Sequence, residues 1–377
     1  MTQIGHTAIG AWSGGRVMHF GVALEDERLE ALLRPGADIN TIVTADVYAE
    51  GEADRIVGRS IKGLPRDDYN LVATIGHDFY NGIRRGSSGY PRFTDPGLRG
   101  PDQYRDYLFM ALEKSLERLG QDHADVVLLH NPDRIGYTSE VVWRAMTDLR
   151  DEGLTKMIGV APGPANGFTL DLIGCLEMYG DEIDWSMIIL NPFEPWPGKM
   201  ALGAHEQKNV KVLARVLDYG GVFHGDLPDE DALVDGDHRK YRPAGWVAEG
   251  RRRLQEIIPI AERHGLTPLQ VAAQWTLAQP AVHAVVPTFI QEAGPMHKTV
   301  EDQRRELATV PTQLVLTVEE MAEIDRLGDN HGCMSLKGGT PGHVGPQMPD
   351  SWPMAPDLEQ IAARWGISPE RDLVHVV

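Results

Sequence analysis

The sequence predicts an α/β fold in which short parallel strands alternate with helices. Three observations carry this expectation. Asp125-Val126-Val127-Leu128-Leu129-His130 is a continuous apolar run, the pattern of a strand buried on both faces. Just before it, Leu112, Leu116 and Leu119 share one face of a helix that Gly120 stops. Further apolar runs recur along the chain, separated by helical or loop-like stretches, as crossover connections between parallel strands require.

Taken in order, the strands and their exit loops are expected at residues 8–12, 42–48, 71–78, 125–130, 157–162, 187–193, 210–216 and 284–288. Helical spacing places helices at 24–33, 55–61, 139–152 and 246–264. Thr267-Pro268-Leu269-Gln270 is a capping box with proline at the first helical position, and that helix stops before Pro280. Closing helices are expected at 318–327 and 358–365. Residues 81–101, rich in Gly, Arg, Ser and Pro, form a long loop at the working end, where Arg84, Arg85 and Arg92 are candidates to hold an anionic group.

The chain has 377 residues, 42% of them hydrophobic, enough for one large domain. Its formal net charge of -19 argues against nucleic acid or an anionic membrane as the main partner, leaving a small-molecule substrate. Cys175 and Cys333 are too few for a disulfide framework and lack zinc-ligand spacing. No long apolar run or basic signal opens the sequence, so a cytoplasmic location is expected.

The run Ser115-Leu116-Glu117-Arg118-Leu119-Gly120, followed by Asp125 and by His130-Asn131-Pro132-Asp133, resembles a signature of the aldo-keto reductase superfamily. The resemblance extends from about Gly10 to Leu327. It implies a (β/α)8 TIM barrel over residues 1–327, with residues 328–377 forming a C-terminal loop and helix over the barrel mouth. Met334, His343, Met348, Trp352 and Met354 are the tail residues expected to shape that mouth.

The resemblance also assigns site residues. Tyr48 and His130 stand at the family's proton donor and its histidine partner. The family's catalytic Asp and Lys align with Val43 and Ile75, so the phenol, with a reference pKa of about 10, lacks its usual activator. Losing both charges together is coherent, because one left alone and buried would cost roughly 3–5 kcal/mol. His77, expected on the face of Ile75, and Asp46, two residues before Tyr48, are the candidate replacements.

For the implied cofactor, NADP(H), the resemblance places Gly10 and Trp12 beside the nicotinamide and Phe193 stacked on it. Gly221 and Gly225 would lie at the pyrophosphate, with Lys298 and Arg304 at the 2′-phosphate. Against it, Pro162, Leu190 and Leu307 replace three polar ligands of the nucleotide. No metal is expected, since His77, Asp78, His130 and His224 lack tight ligand spacing. Three functions follow. The first is a redox-neutral elimination, hydration or isomerisation beside a carbonyl. The second is an NADP(H)-dependent oxidoreductase whose proton relay is rebuilt around His77. The third is a non-catalytic binding subunit.

Overall fold

Eight parallel strands follow one another around a barrel in chain order. They are β1 (Ile9–Gly10), β2 (Thr41–Ala45), β3 (Asn70–Ile75), β4 (Ala124–His130), β5 (Thr155–Ala161), β6 (Trp185–Ile189), β7 (Lys211–Arg215) and β8 (Val282–Val286). A parallel bridge between Thr7 and Val285 joins the last strand to the first. This computed structural model describes residues 3–85, 89–163, 168–242, 244–330 and 354–373.

Period-two alternation divides the strand residues between two layers. Val43, Val72, Val126, Leu128, Met187 and Leu213 fill the barrel interior. Ile42, Leu71, Ala73, Ile75, Val127 and Leu129 face outward into the larger core beneath the helices. Strands flanked by two apolar layers must be apolar throughout, which is why their runs are continuous.

Around them lie α1 (Asp26–Leu33), α2 (Glu52–Ile61), α3 (Tyr104–Leu119), α4 (Arg134–Thr138), α5 (Glu140–Asp151) and α6 (Phe168–Tyr179). The outer layer continues with α7 (Leu202–Gln207), α8 (Trp246–His264), α9 (Pro268–Leu277), α10 (Val300–Ala308) and α11 (Val318–Gly328). Gly120 ends α3 in the left-handed conformation, at φ 66°, and Thr267 and Gln270 form the expected reciprocal cap of α9. None of the described helices is long and apolar enough to cross a membrane.

The signature on α3 does structural work. Asp54 of α2 is fully buried, and its carboxylate accepts from Ser115 Oγ at 2.8 Å, Thr44 Oγ1 at 2.9 Å and Arg118 Nη2 at 3.0 Å. This fixes α2 and α3 against the end of β2, the strand that leads to Tyr48.

The C-terminal tail is described only in part. Its described part, α12 (Pro356–Arg364) and α13 (Pro369–Asp372), packs on the barrel's flank. Ile361 seats against Gly174 of α6, and Trp365 Nε1 donates to Glu177 at 2.9 Å. Met334, His343, Met348 and Trp352 lie outside the described residues.

Candidate active site

The strand ends deliver the polar groups. His130 is the last residue of β4 and Arg215 the last of β7. Tyr48 follows β2 in a short turn. After β3, Gly76 takes φ 139°, a conformation that favours glycine. The strand's alternation breaks there, so Ile75 points outward while His77 turns into the mouth. Trp12 folds back over Gly10, leaving no room there for a β-carbon.

These groups enclose a cavity of about 380 Å³ at the mouth, with Trp12, Met18 and Phe20 forming an apolar side. Tyr48 and His130 meet edge to face, ring centres 5.7 Å apart, and His77 lies 4.9 Å from His130. Trp12 stands edge-on to Tyr48 at 6.3 Å. Tyr48, His130 and His77 thus line one cavity, with His77 on the opposite face from Ile75 rather than on the same face as the spacing suggested.

Burial holds both imidazoles neutral. His130 is pushed well below the ordinary histidine value, first by desolvation and then by His77, Arg215 and Arg92. His77 falls to about 3, again by burial first and Arg92 second. Arg92 Nη1 lies 3.2 Å from His77 Nδ1. The same Nδ1 lies 3.3 Å from the Tyr90 carbonyl, and the amide nitrogen of Asn131 lies 3.3 Å from Nε2, so the ring is held from both sides. His130 Nδ1 is buried without a hydrogen-bond partner. Burial raises the Tyr48 phenol, and Arg215 opposes that rise.

Arg215 is the group that sequence reading missed. It supplies, from β7, a cation acting on the phenol that neither Val43 nor Ile75 can provide. The available signal was a basic residue closing an otherwise buried apolar strand.

Other expectations need correction. Asp46 does not share the cavity with Tyr48. It is fully buried behind the site, and neither carboxylate oxygen makes a well-formed hydrogen bond. Desolvation, then repulsion from Asp54, drives its carboxyl well above the usual range. Two of the four residues weighed for a metal, His224 and Asp78, are engaged elsewhere. His224 is paired with the Thr288 carbonyl at 2.9 Å, and Asp78 with Arg99. Among the described residues, no group of three His, Cys, Asp or Glu side chains could hold a metal.

The residues present do not fit NADP(H) in the way the resemblance implies. Phe193 is fully buried, packed on Phe223 at 4.5 Å, and does not line the cavity. Leu190 is equally buried, and the Pro162 carbonyl accepts from Arg215 at 3.3 Å. Lys298 Nζ is paired with Glu306 at 2.6 Å. Arg304 is engaged by the carbonyls of Leu32 and Arg34, at the C-terminal end of α1, and by Asp38. Gly221 and Gly225 do adopt left-handed turns, at φ 97° and 87°. Yet the Gly221 amide is bonded to Asp218 at 2.9 Å, and a β-carbon there would lie 3.6 Å from the Glu292 carboxylate. Of the predicted cofactor residues, only Trp12 lines the cavity.

Eight parallel strands in chain order define the class, a (β/α)8 barrel, here with tyrosine and histidine at its mouth. The chain belongs to the aldo/keto reductase family, whose sequence model matches residues 8–329. Among curated relatives, a putative voltage-gated potassium channel subunit beta from Schizosaccharomyces pombe is 27% identical over 72% of this chain and 78% of its own length. An uncharacterized oxidoreductase from Bacillus subtilis is 26% identical over 75% of this chain and 82% of its own. Similar solved structures include glycerol dehydrogenase from Gluconobacter oxydans, with TM-score 0.64 and 21% identity over 92% of this chain and 96% of that one. An aldo/keto reductase from Klebsiella pneumoniae, in complex with NADP and acetate, has TM-score 0.56 and 23% identity over 85% and 90%.

Proposed function

We propose that this protein is a redox-neutral enzyme that moves a proton beside a carbonyl group. One observation carries the reading. Tyr48, His130 and His77 line one cavity, while most positions assigned to the dinucleotide are buried or already engaged. A carbonyl oxygen lying between the phenol and the neutral imidazole of His130 would receive hydrogen bonds as negative charge develops on it. Arg215 offsets the rise that burial imposes on the phenol, easing proton movement at Tyr48.

The test is hydrogen–deuterium exchange in deuterated water, read by NMR at carbons adjacent to the carbonyl of small hydroxylated ketones and oxo acids. Exchange without added nucleotide is expected. Tyr48→Phe and His130→Ala are each expected to slow it by about 10²–10⁴-fold. Exchange that proceeds at wild-type rate in both variants would remove the site.

A second reading, NADP(H)-dependent carbonyl oxidoreduction, draws support from Arg215 as a replacement cation and from relatives named as oxidoreductases. It predicts no exchange, and turnover only with NADPH. A non-catalytic subunit predicts neither activity.

A further inference from the structure

We propose that the cavity selects substrates carrying an anionic group, a carboxylate or phosphate, which Arg215 and Arg242 bind while Arg84 guards the rim. This rests on reading the cavity as the active site. The chain carries a formal net charge of -19, yet among the described residues the cavity is lined by Arg84, Arg215 and Arg242 and by no Asp or Glu. An acidic protein that gathers guanidinium groups around one cavity has concentrated positive potential where a ligand would sit.

The pairing of these arginines supports the assignment. A guanidinium has five N–H donors. Arg239, on the neighbouring loop, is fully buried and chelated by Asp237 and Glu292, which raise it above its ordinary value. Arg215 and Arg242 are treated differently. Among the described residues, the Arg215 side chain makes one hydrogen bond, to the Pro162 carbonyl at 3.3 Å, and that of Arg242 makes one, to the Tyr219 carbonyl at 3.4 Å. The Arg242 guanidinium also sits over the Trp246 ring, 4.4 Å from its centre, and 5.5 Å from that of Tyr219. Glu194 attracts both guanidiniums and Asp218 attracts Arg242, but neither acid lines the cavity. Burial lowers both arginines, the mark of buried charge that is incompletely repaid. Most of their donors remain for a ligand, and charge-assisted bonds to a carboxylate or phosphate are the strongest such donors form. The apolar side of Trp12, Met18 and Phe20 would take the carbon chain, with its carbonyl toward Tyr48 and His130.

The probes are D-glucitol, D-gluconate and D-glucitol 6-phosphate, which share a six-carbon hydroxylated chain and differ in charge. They are titrated calorimetrically into the full chain at fixed ionic strength. At least one anion is expected to bind about tenfold or more tightly than glucitol, and which one does so distinguishes carboxylate from phosphate. Arg242→Gln is expected to erase that difference, and Arg242→Lys to restore part of it. Circular dichroism and melting temperature check that each variant is folded. Equal binding of all three probes, no binding of any up to about 10 mM, or a folded Arg242→Gln that keeps the preference would each overturn the proposal. Tyr48→Phe is expected to retain anion binding while losing proton exchange, so failure here is distinguishable from failure of the proposed reaction.

Discussion

At the scale of single residues, the cavity keeps its imidazoles uncharged, and this has a thermodynamic signature. The His77 ring falls from 6.5 to about 3 on folding. Below pH 6.5 the unfolded chain takes up a proton that the folded site refuses until about pH 3. The folded state therefore loses stability as pH falls through that window, and His77 contributes nothing to the slope above it. Near pH 5 this loss is about 2 kcal/mol. His77→Asn should reduce the stability difference between pH 7 and about pH 5 by that amount in urea unfolding; an unchanged difference would contradict the burial described. His205, lowered to about 4 by burial, acts in the same direction and remains in the variant. Sequence made Tyr48, His130 and His77 legible because strand ends carry chemistry in barrels. Asp46 was misplaced because a counting rule for extended backbone was carried past Ala45, where β2 ends. Arg215 was overlooked because a single charge at a strand's end looks like ordinary solvation.

At the scale of elements, the pairing of α2 with α3 depends on one buried acid. Removing Arg118 would leave Asp54 uncompensated against Ser115 and Thr44. Arg118→Met is therefore expected to destabilise the fold by about 3–5 kcal/mol, and the double variant with Asp54→Ala to recover a substantial part of it. Chemical denaturation of the four proteins in that cycle measures both. Helix α8 was readable over its full length, since Gly265 stops it and its buried positions recur at helical spacing. Helix α6 was not anticipated, and the reason is physical. It is packed by the barrel on one side and by α12 on the other, so its sequence lacks the single apolar stripe that periodicity detects.

At the scale of the whole molecule, loops after different strands are tied together above the barrel. The Gly21 amide donates to Asp237 at 2.8 Å, the Val22 amide to the Gln291 carbonyl at 2.7 Å, and the His238 amide to the His19 carbonyl at 2.8 Å. Lacing of this kind joins residues more than two hundred positions apart, which no local pattern announces. It explains why the barrel could be read from its strands while the fate of Lys298, Arg304 and Phe193 could not. It also bears on nucleotide binding. A ligand that binds the folded chain raises its melting temperature in proportion to the logarithm of its concentration over Kd. NADPH at about 1 mM is expected to leave the melting temperature unchanged within about 1 °C. A rise of several degrees would favour the oxidoreductase reading. The signature around Ser115 and Arg118 belongs to this scale too, because its side chains brace the shell and never reach the cavity. A search tuned to that string will retrieve barrels braced this way whatever reaction they run, so it is a fingerprint of construction rather than of trade.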